Sequence, residues 1–211
     1  MAQMGRPRTF DRDQAITEAM HLFWEHGYDA TSLAQLKQGL GGGISAPSFY
    51  SAFGSKEALF QECVARYLST HARVTAPLQD LALKPREAIE TALRQSSAMQ
   101  CEPGHPRGCM VALGVMSAPS VGSGEVAHAL NASRARTRAG FVACVERGIA
   151  SGELLPDTSA VALATVFDSF LSGVSISARD GVPAAALQAA VSQVMRLWDD
   201  ASHHAHPRQA R

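Results

Sequence analysis

The sequence predicts an all-α fold: an N-terminal three-helix unit carrying a helix-turn-helix, with a larger helical domain behind it. Three observations predict this. Apolar residues recur at helical spacing along most of the 211 residues, and no segment sustains the period-2 alternation of a half-buried strand. Ser45 to Phe60 reads as a very short helix, a one-residue hinge at Gly54 and the start of a second helix. About two-thirds of the chain follows that unit, enough for a second domain of ordinary size.

Taken in order, residues 1–9 form a loose arm, Gly5-Arg6-Pro7-Arg8 being too rich in Gly and Pro for a helix. Asp11 and Gln14 make a capping box, with Phe10 and Ala15 as its hydrophobic staple. Ile16, Ala19, Met20, Phe23 and Trp24 then line one face until Gly27 ends the helix. A second helix starts at Thr31 or Ser32, buries Leu33, Leu36 and Leu40, and breaks in the run Gly39 to Gly43. The third is capped by Ser45, with Pro47 in its opening turn, where a missing N–H does no harm. It is too short to be stable alone, so a scaffold must hold it. Ser55 caps the fourth, which carries Leu59, Phe60, Cys63, Val64, Tyr67 and Leu68 at helical spacing and is expected to run to about Ala76, where Pro77 stops it.

Beyond Pro85 the pattern is helical to about Gln100, then interrupted by Pro103, Gly104, Pro106 and Gly108. A short apolar segment, Cys109 to Met116, precedes a break at Pro119. Further helices are expected over Val126 to Ile149, Ser159 to Ala178 and Ala184 to Trp198. Residues 201–211 read as a disordered tail. The domain boundaries expected are 1–70 and 71–200.

Composition narrows the class without selecting it. The formal charge is zero, and over residues 1–56 five basic side chains meet five acidic ones, so no general basic field advertises a polyanion. No contiguous apolar run is long enough for a membrane span and no signal-peptide pattern opens the chain, which implies a cytoplasmic protein with no membrane partner. Four cysteines in that setting are expected as reduced thiols.

The third helix carries the functional signal. A short helix presenting small hydroxyls and a tyrosine is how a recognition helix is offered to the major groove. Ser45, Ser48, Tyr50 and Ser51 are its outward candidates, with Phe49 and Phe53 turned to the core. Arg6 and Arg8, on an extended arm just ahead of the first helix, suit a narrow minor groove.

The run Phe49-Tyr50 to Phe53-Gly54-Ser55-Lys56-Glu57-Ala58-Leu59-Phe60, with Phe23-Trp24-Glu25-His26-Gly27-Tyr28-Asp29-Ala30-Thr31-Ser32 upstream, resembles the TetR family of bacterial repressors. The resemblance covers roughly the first third of the chain. It implies that Tyr50 and the start of the fourth helix at Lys56 sit against phosphates, that Thr31 or Ser32 makes a similar backbone contact, and that Ala46 belongs to the DNA-reading helix. Free N–H groups at a helix start attract anions, so the physics agrees. The family also implies a homodimer through the last two long helices, a palindromic double-stranded operator, and a small-molecule effector held in the larger domain. The turn Gly39 to Ile44 departs from the family pattern, being about two residues longer than the usual ~3–4 of a helix-turn-helix.

A mostly apolar effector is expected among Met99, Met110, Met116, Phe141, Phe167 and Phe170, though such side chains serve equally as plain core. Cys101, His105 and Cys109 recur every four residues, but zinc needs a fourth ligand and the loop is broken by Pro and Gly, so no metal or cofactor is expected. A regulatory thiol at Cys101 or Cys109, or a transcriptional activator in place of a repressor, stays open. A helical enzyme is the rival class, without a nucleophile elbow, paired carboxylates or a metal-ligand pair to support it.

Overall fold

The computed structural model describes residues 10–114 and 124–202, which form nine α-helices and one 3-10 helix with no strand among them. Four helices make the N-terminal unit: α1 (Arg12–His26), α2 (Leu33–Gly39), α3 (Ala46–Phe53) and α4 (Lys56–Ser69). A 3-10 helix (His71–Gln79) leads to α5 (Pro85–Met99), α6 (Met110–Gly114), α7 (Gly124–Ala150), α8 (Ala160–Arg179) and α9 (Ala184–Ser202). Arg6, Arg8, Met116 and the tail beyond Ser202 lie outside the described residues.

Local chemistry accounts for the boundaries. Asp11 caps α1 by accepting from the Gln14 N–H at 3.0 Å, but the Gln14 side chain turns to Glu18 at 2.9 Å, so only half of the expected capping box forms. The complete box is at α2: Ser32 accepts from the Gln35 N–H, and the Gln35 carbonyl accepts from the Ser32 N–H at 2.7 Å. The fourth helix stops earlier than expected. Thr70 leaves helical geometry with φ −120° and ψ −88°, its hydroxyl taken by the Arg66 carbonyl, and the chain tightens into the 3-10 helix with Pro77 inside.

One core joins α1 to α4 around Met20, Phe23, Trp24, Leu36, Phe49, Phe53, Phe60 and Tyr67, and extends without a break to Met99, Met110, Val111 and Leu130. A second core gathers Ile89, Leu93, Phe141, Phe167, Met195 and Trp198 from α5, α7, α8 and α9. Helices approach closely where glycine permits: a Cβ at Gly148 would lie 2.6 Å from the Trp198 ring. Cys63 and Cys144 are buried in these cores, while Cys101 and Cys109 are partly exposed.

Contrary to the reading from contiguous runs, α8 is long and apolar enough to cross a membrane by length and composition, because isolated Ser, Thr and Asp residues interrupt the run without lowering its average. Only 22% of its most apolar stretch is buried. Val161, Val166 and Ile176 stand exposed along it, with Gly173 open beside them.

Candidate nucleic-acid interface

Helix α3 is held from below and open above. Phe49 and Phe53 are buried, packed on each other with ring centroids 5.5 Å apart, and Phe10 meets the edge of Phe53 at 6.0 Å. Ser45 caps the helix, accepting from the Ser48 N–H at 3.2 Å, and the two hydroxyls bond at 2.9 Å. Ser45, Ser48, Tyr50 and Ser51 face solvent, Tyr50 being 51% exposed, and Ala46 is half-buried.

The approach to α3 explains the long turn. Gly41, Gly42 and Gly43 all adopt positive φ (60°, 76° and 108°), a succession that side chains with a Cβ disfavour. Glu18 of α1 accepts from the Gly41 N–H at 2.7 Å, and the Ile44 N–H bonds back to Lys37 at 2.8 Å. The extra length is therefore pinned to α1 and α2. On the far side, Gly54 turns the chain with φ 73°, and Ser55 caps α4 by accepting from the Ala58 N–H at 2.9 Å. A helix start has more N–H groups than its cap can satisfy, and this one opens at Lys56.

The structure brings Ser32, Ser45, Ser48, Tyr50, Ser51 and Lys56 to the surface, with one change in chemistry. The Lys56 ammonium lies 4.3 Å from the centre of the Tyr28 ring, and burial lowers its pKa while Asp29 opposes the shift. Thr31 is a correction. Its side chain is fully buried, donating to the Gly27 carbonyl at 2.6 Å, so it ties down the end of α1 and cannot face DNA. Of the alternatives Thr31 and Ser32, only Ser32 is outside.

Sequence reasoning missed how the N-terminal unit is fastened to the rest. Arg179, in the last turn of α8, donates to the Trp24 and Glu25 carbonyls at the end of α1 (2.8 and 3.0 Å) and to Arg107 at 3.0 Å. His105 stacks on Trp24 at 4.6 Å, and His71 stands edge-on to both. The Tyr67 hydroxyl donates to Cys109 Sγ at 3.2 Å. These partners lie far apart in sequence, and no local pattern announces them. The expected effector wall also divides: Met99 borders a cavity, whereas Met110 belongs to the first core and Phe141 and Phe167 stack in the second. Among the described residues, no His, Cys, Asp and Glu group could hold a metal ion.

Known proteins resemble the chain along its length. The pattern of bacterial regulatory proteins of the tetR family matches residues 15–63. The HTH-type transcriptional repressor ComR of Escherichia coli (strain K12) is 32% identical over 200 residues, spanning 93% of this chain and 92% of ComR. The repressor BdcR of the same organism is 39% identical over 116 residues, 54% of this chain and 56% of BdcR. Among solved structures, a cysteine-substituted form of the TetR family regulator CifR, complexed with 26-bp double-strand operator DNA, superposes with a TM-score of 0.80 at 41% identity, covering 92% of this chain and all of that one.

Proposed function

This chain belongs to the TetR family of bacterial regulatory proteins, and we propose that it is a homodimeric, sequence-specific repressor that a small molecule releases from operator DNA in the cytoplasm. Membership of a family of regulators sets the helical-enzyme reading aside. The observation that carries the DNA half is the hydroxyl-rich outer face of α3, held rigid by Phe49 and Phe53 and followed at once by the N-terminus of α4.

In this reading Ser45, Ser48 and Ser51 meet base edges, and Ala46 lets the backbone come close. Tyr50, Lys56 and Ser32 contact phosphates. Arg6 and Arg8 reach the minor groove from the arm. The N-terminal unit, residues 1–70, does the reading, and residues 71–200 dimerise and sense. One short recognition helix reads few base pairs, and a two-fold dimer doubles the contact. The exposed residues Val161, Val166, Gly173 and Ile176 on α8 offer an apolar surface that a second copy would cover. A ligand between α5 and α8 that favours one spacing of the two recognition helices then draws the dimer off DNA by population shift.

Footprinting over the promoter region beside the protein's own gene tests this. The expected result is a protected near-palindrome with half-sites about one helical turn apart. Absence of any protected segment at concentrations that saturate non-specific binding contradicts it.

A second reading rests on the thiols. Cys101 and Cys109 are the partly exposed pair, bonded by Arg107 (3.5 Å) and Tyr67, and two of the cysteines replaced in the CifR variant stand eight residues apart, the separation of this pair. Oxidation would then act at the same joint. Serine at both positions should abolish any peroxide effect on DNA binding, and a peroxide response that survives the substitutions refutes this reading.

A further inference from the structure

A cavity of about 120 Å³ lies between α5, α6, α7 and α8, closed on one side by the end of α4 and the 3-10 helix. A cavity of roughly 150 Å³ admits benzene, so this one suits a ligand of no more than about half a dozen non-hydrogen atoms. Val74, Met99, Val111 and Leu171 make apolar wall. Three polar atoms in the same wall have no partner within the described protein: the Ser96 hydroxyl and the Gln100 side-chain carbonyl, one turn apart at the end of α5, and Nε of Arg134 on α7. Ser96 is 2% exposed and Gln100 1%. Folded proteins satisfy about nine in ten or more of their buried polar groups, because an unmatched one is destabilising. Two unmatched side chains on one helix face and a third on its neighbour point to bonds that something outside the protein completes.

Charge narrows what that is. Among the described residues, Arg134, Arg138 and Asp168 are the charged side chains bordering the cavity. Arg138 Nε and Asp168 pair at 3.1 Å. Arg134 reaches only the neutral Asn131, at 2.8 Å, and among the described residues no carboxylate pairs with it. The described part of the wall therefore holds one positive charge in excess, and the nearby Asp168 carboxylate disfavours a second negative charge on a ligand.

We propose that the cavity is a binding site for a small hydroxylated monocarboxylate. Its carboxylate accepts from Arg134 Nε, and its hydroxyl donates to the Gln100 carbonyl and accepts from Ser96. A purely apolar molecule leaves all three groups unmatched, and a cation meets Arg134. This deepens the effector reading, on which it rests only for the consequence at the operator.

The test uses the full chain and three isosteric probes in titration calorimetry: 2-hydroxypropanoate, 2-methylpropanoate without the hydroxyl, and 2-hydroxypropanamide without the charge. The hydroxy acid should bind at least about tenfold more tightly than either analogue, since a site built around a hydrogen bond rejects the ligand that lacks it. Arg134→Met should erase the preference for charge, and Gln100→Leu the preference for the hydroxyl. Gln100→Leu and Ser96→Ala should also raise the Tm of the free protein by several degrees, because they remove unmatched buried groups. Loss of a structural hydrogen bond would lower it. Equal affinity for the three probes overturns the proposal, as does absence of binding, which would leave a water-filled hole. Tight binding of the hydroxy acid with unchanged affinity for promoter DNA supports the site and counts only against the effector reading.

Discussion

Helices α3 and α8 each leave one face uncovered, and the two faces differ in chemistry. Helix α3 has 8 residues and, with its cap Ser45, shows Ser48, Tyr50 and Ser51; α8 has 20 and shows Val161, Val166, Gly173 and Ile176 among the small hydroxyls of Thr165, Ser169 and Ser172. A hydroxyl face gains nothing from apolar burial but can trade water for phosphate and base edges at little cost. An apolar face gains only by being covered, at about 1.5–3 kcal/mol for each Val or Ile fully buried. On the reading proposed above, the difference matches different partners to two exposed helices of one chain: polyanionic DNA to α3, a second copy to α8. The short helix is anchored by buried Phe49 and Phe53, while the long one packs Ala164, Phe167, Val174 and Ala178 into the larger domain.

The largest effect is expected at α8. Gly173→Arg places a bulky charge where a Cβ has open space within the monomer, so the fold should survive. Light scattering should report monomers, and promoter affinity should fall by about 100-fold or more as the second half-site goes unread. A dimer that persists moves the interface elsewhere. Next in size is a pair within α3. Phe49→Ala should cost about 3–5 kcal/mol, a Tm loss near 10 °C at about 2–4 °C per kcal/mol. Tyr50→Ala, one position on, should move Tm by no more than about 2 °C while weakening DNA binding. Equal thermal losses would mean that the helix has no free face.

Lys56 sharpens the assignment of phosphate-binding groups. Lys56→Ala should lower the salt slope of binding by about one unit for each phosphate the ammonium neutralises. An unchanged slope would mean that the ammonium is spent on the Tyr28 ring.

The smallest effect concerns pH. Burial, with the neighbouring histidine charges second, holds His21 and His71 below the ordinary histidine pKa, Glu102 opposing the shift at His71. Their folded state thus binds protons more weakly than the unfolded chain. The stability they contribute is present above pH ~6.5 and is lost as pH falls through their lowered values. Tm should drop between pH 7.5 and 5, and His71→Asn should flatten that drop. An unaltered pH profile would remove the histidines from the joint's energetics.

How much of the molecule is legible in its sequence follows from the range of the interactions. Caps, turns and helical spacing are local, so Ser32, Ser45, Ser55, Gly54 and the aromatic underside of α3 can be read directly. The same local reading carries the fourth helix to Pro77, because nothing in sequence shows Thr70 taking up the Arg66 carbonyl. Thr31 looks like any helix-start hydroxyl until the fold turns it against Gly27. Long-range partners are invisible: Arg179 meets α1 across more than 150 positions, and Ser96, Gln100 and Arg134 acquire meaning only by sharing a cavity. An apolar helical stripe interrupted by Ser96 and Gln100 is the one available hint. Of the methionines and phenylalanines expected around an effector, Met99 lines the cavity while Met110, Phe141 and Phe167 fill the cores between helices.

On the proposed reading, α3 presented by a dimer reads DNA sequence. Fluorescence anisotropy with a labelled duplex carrying the footprinted promoter segment, repeated with a scrambled duplex at the same salt, tests it most directly. A dimer should bind the promoter duplex at least about 1,000-fold more tightly than the scrambled one, with Ser48→Ala and Ser51→Ala reducing that ratio more than they reduce scrambled binding. Equal affinity for both duplexes, falling in parallel as salt rises, would contradict it.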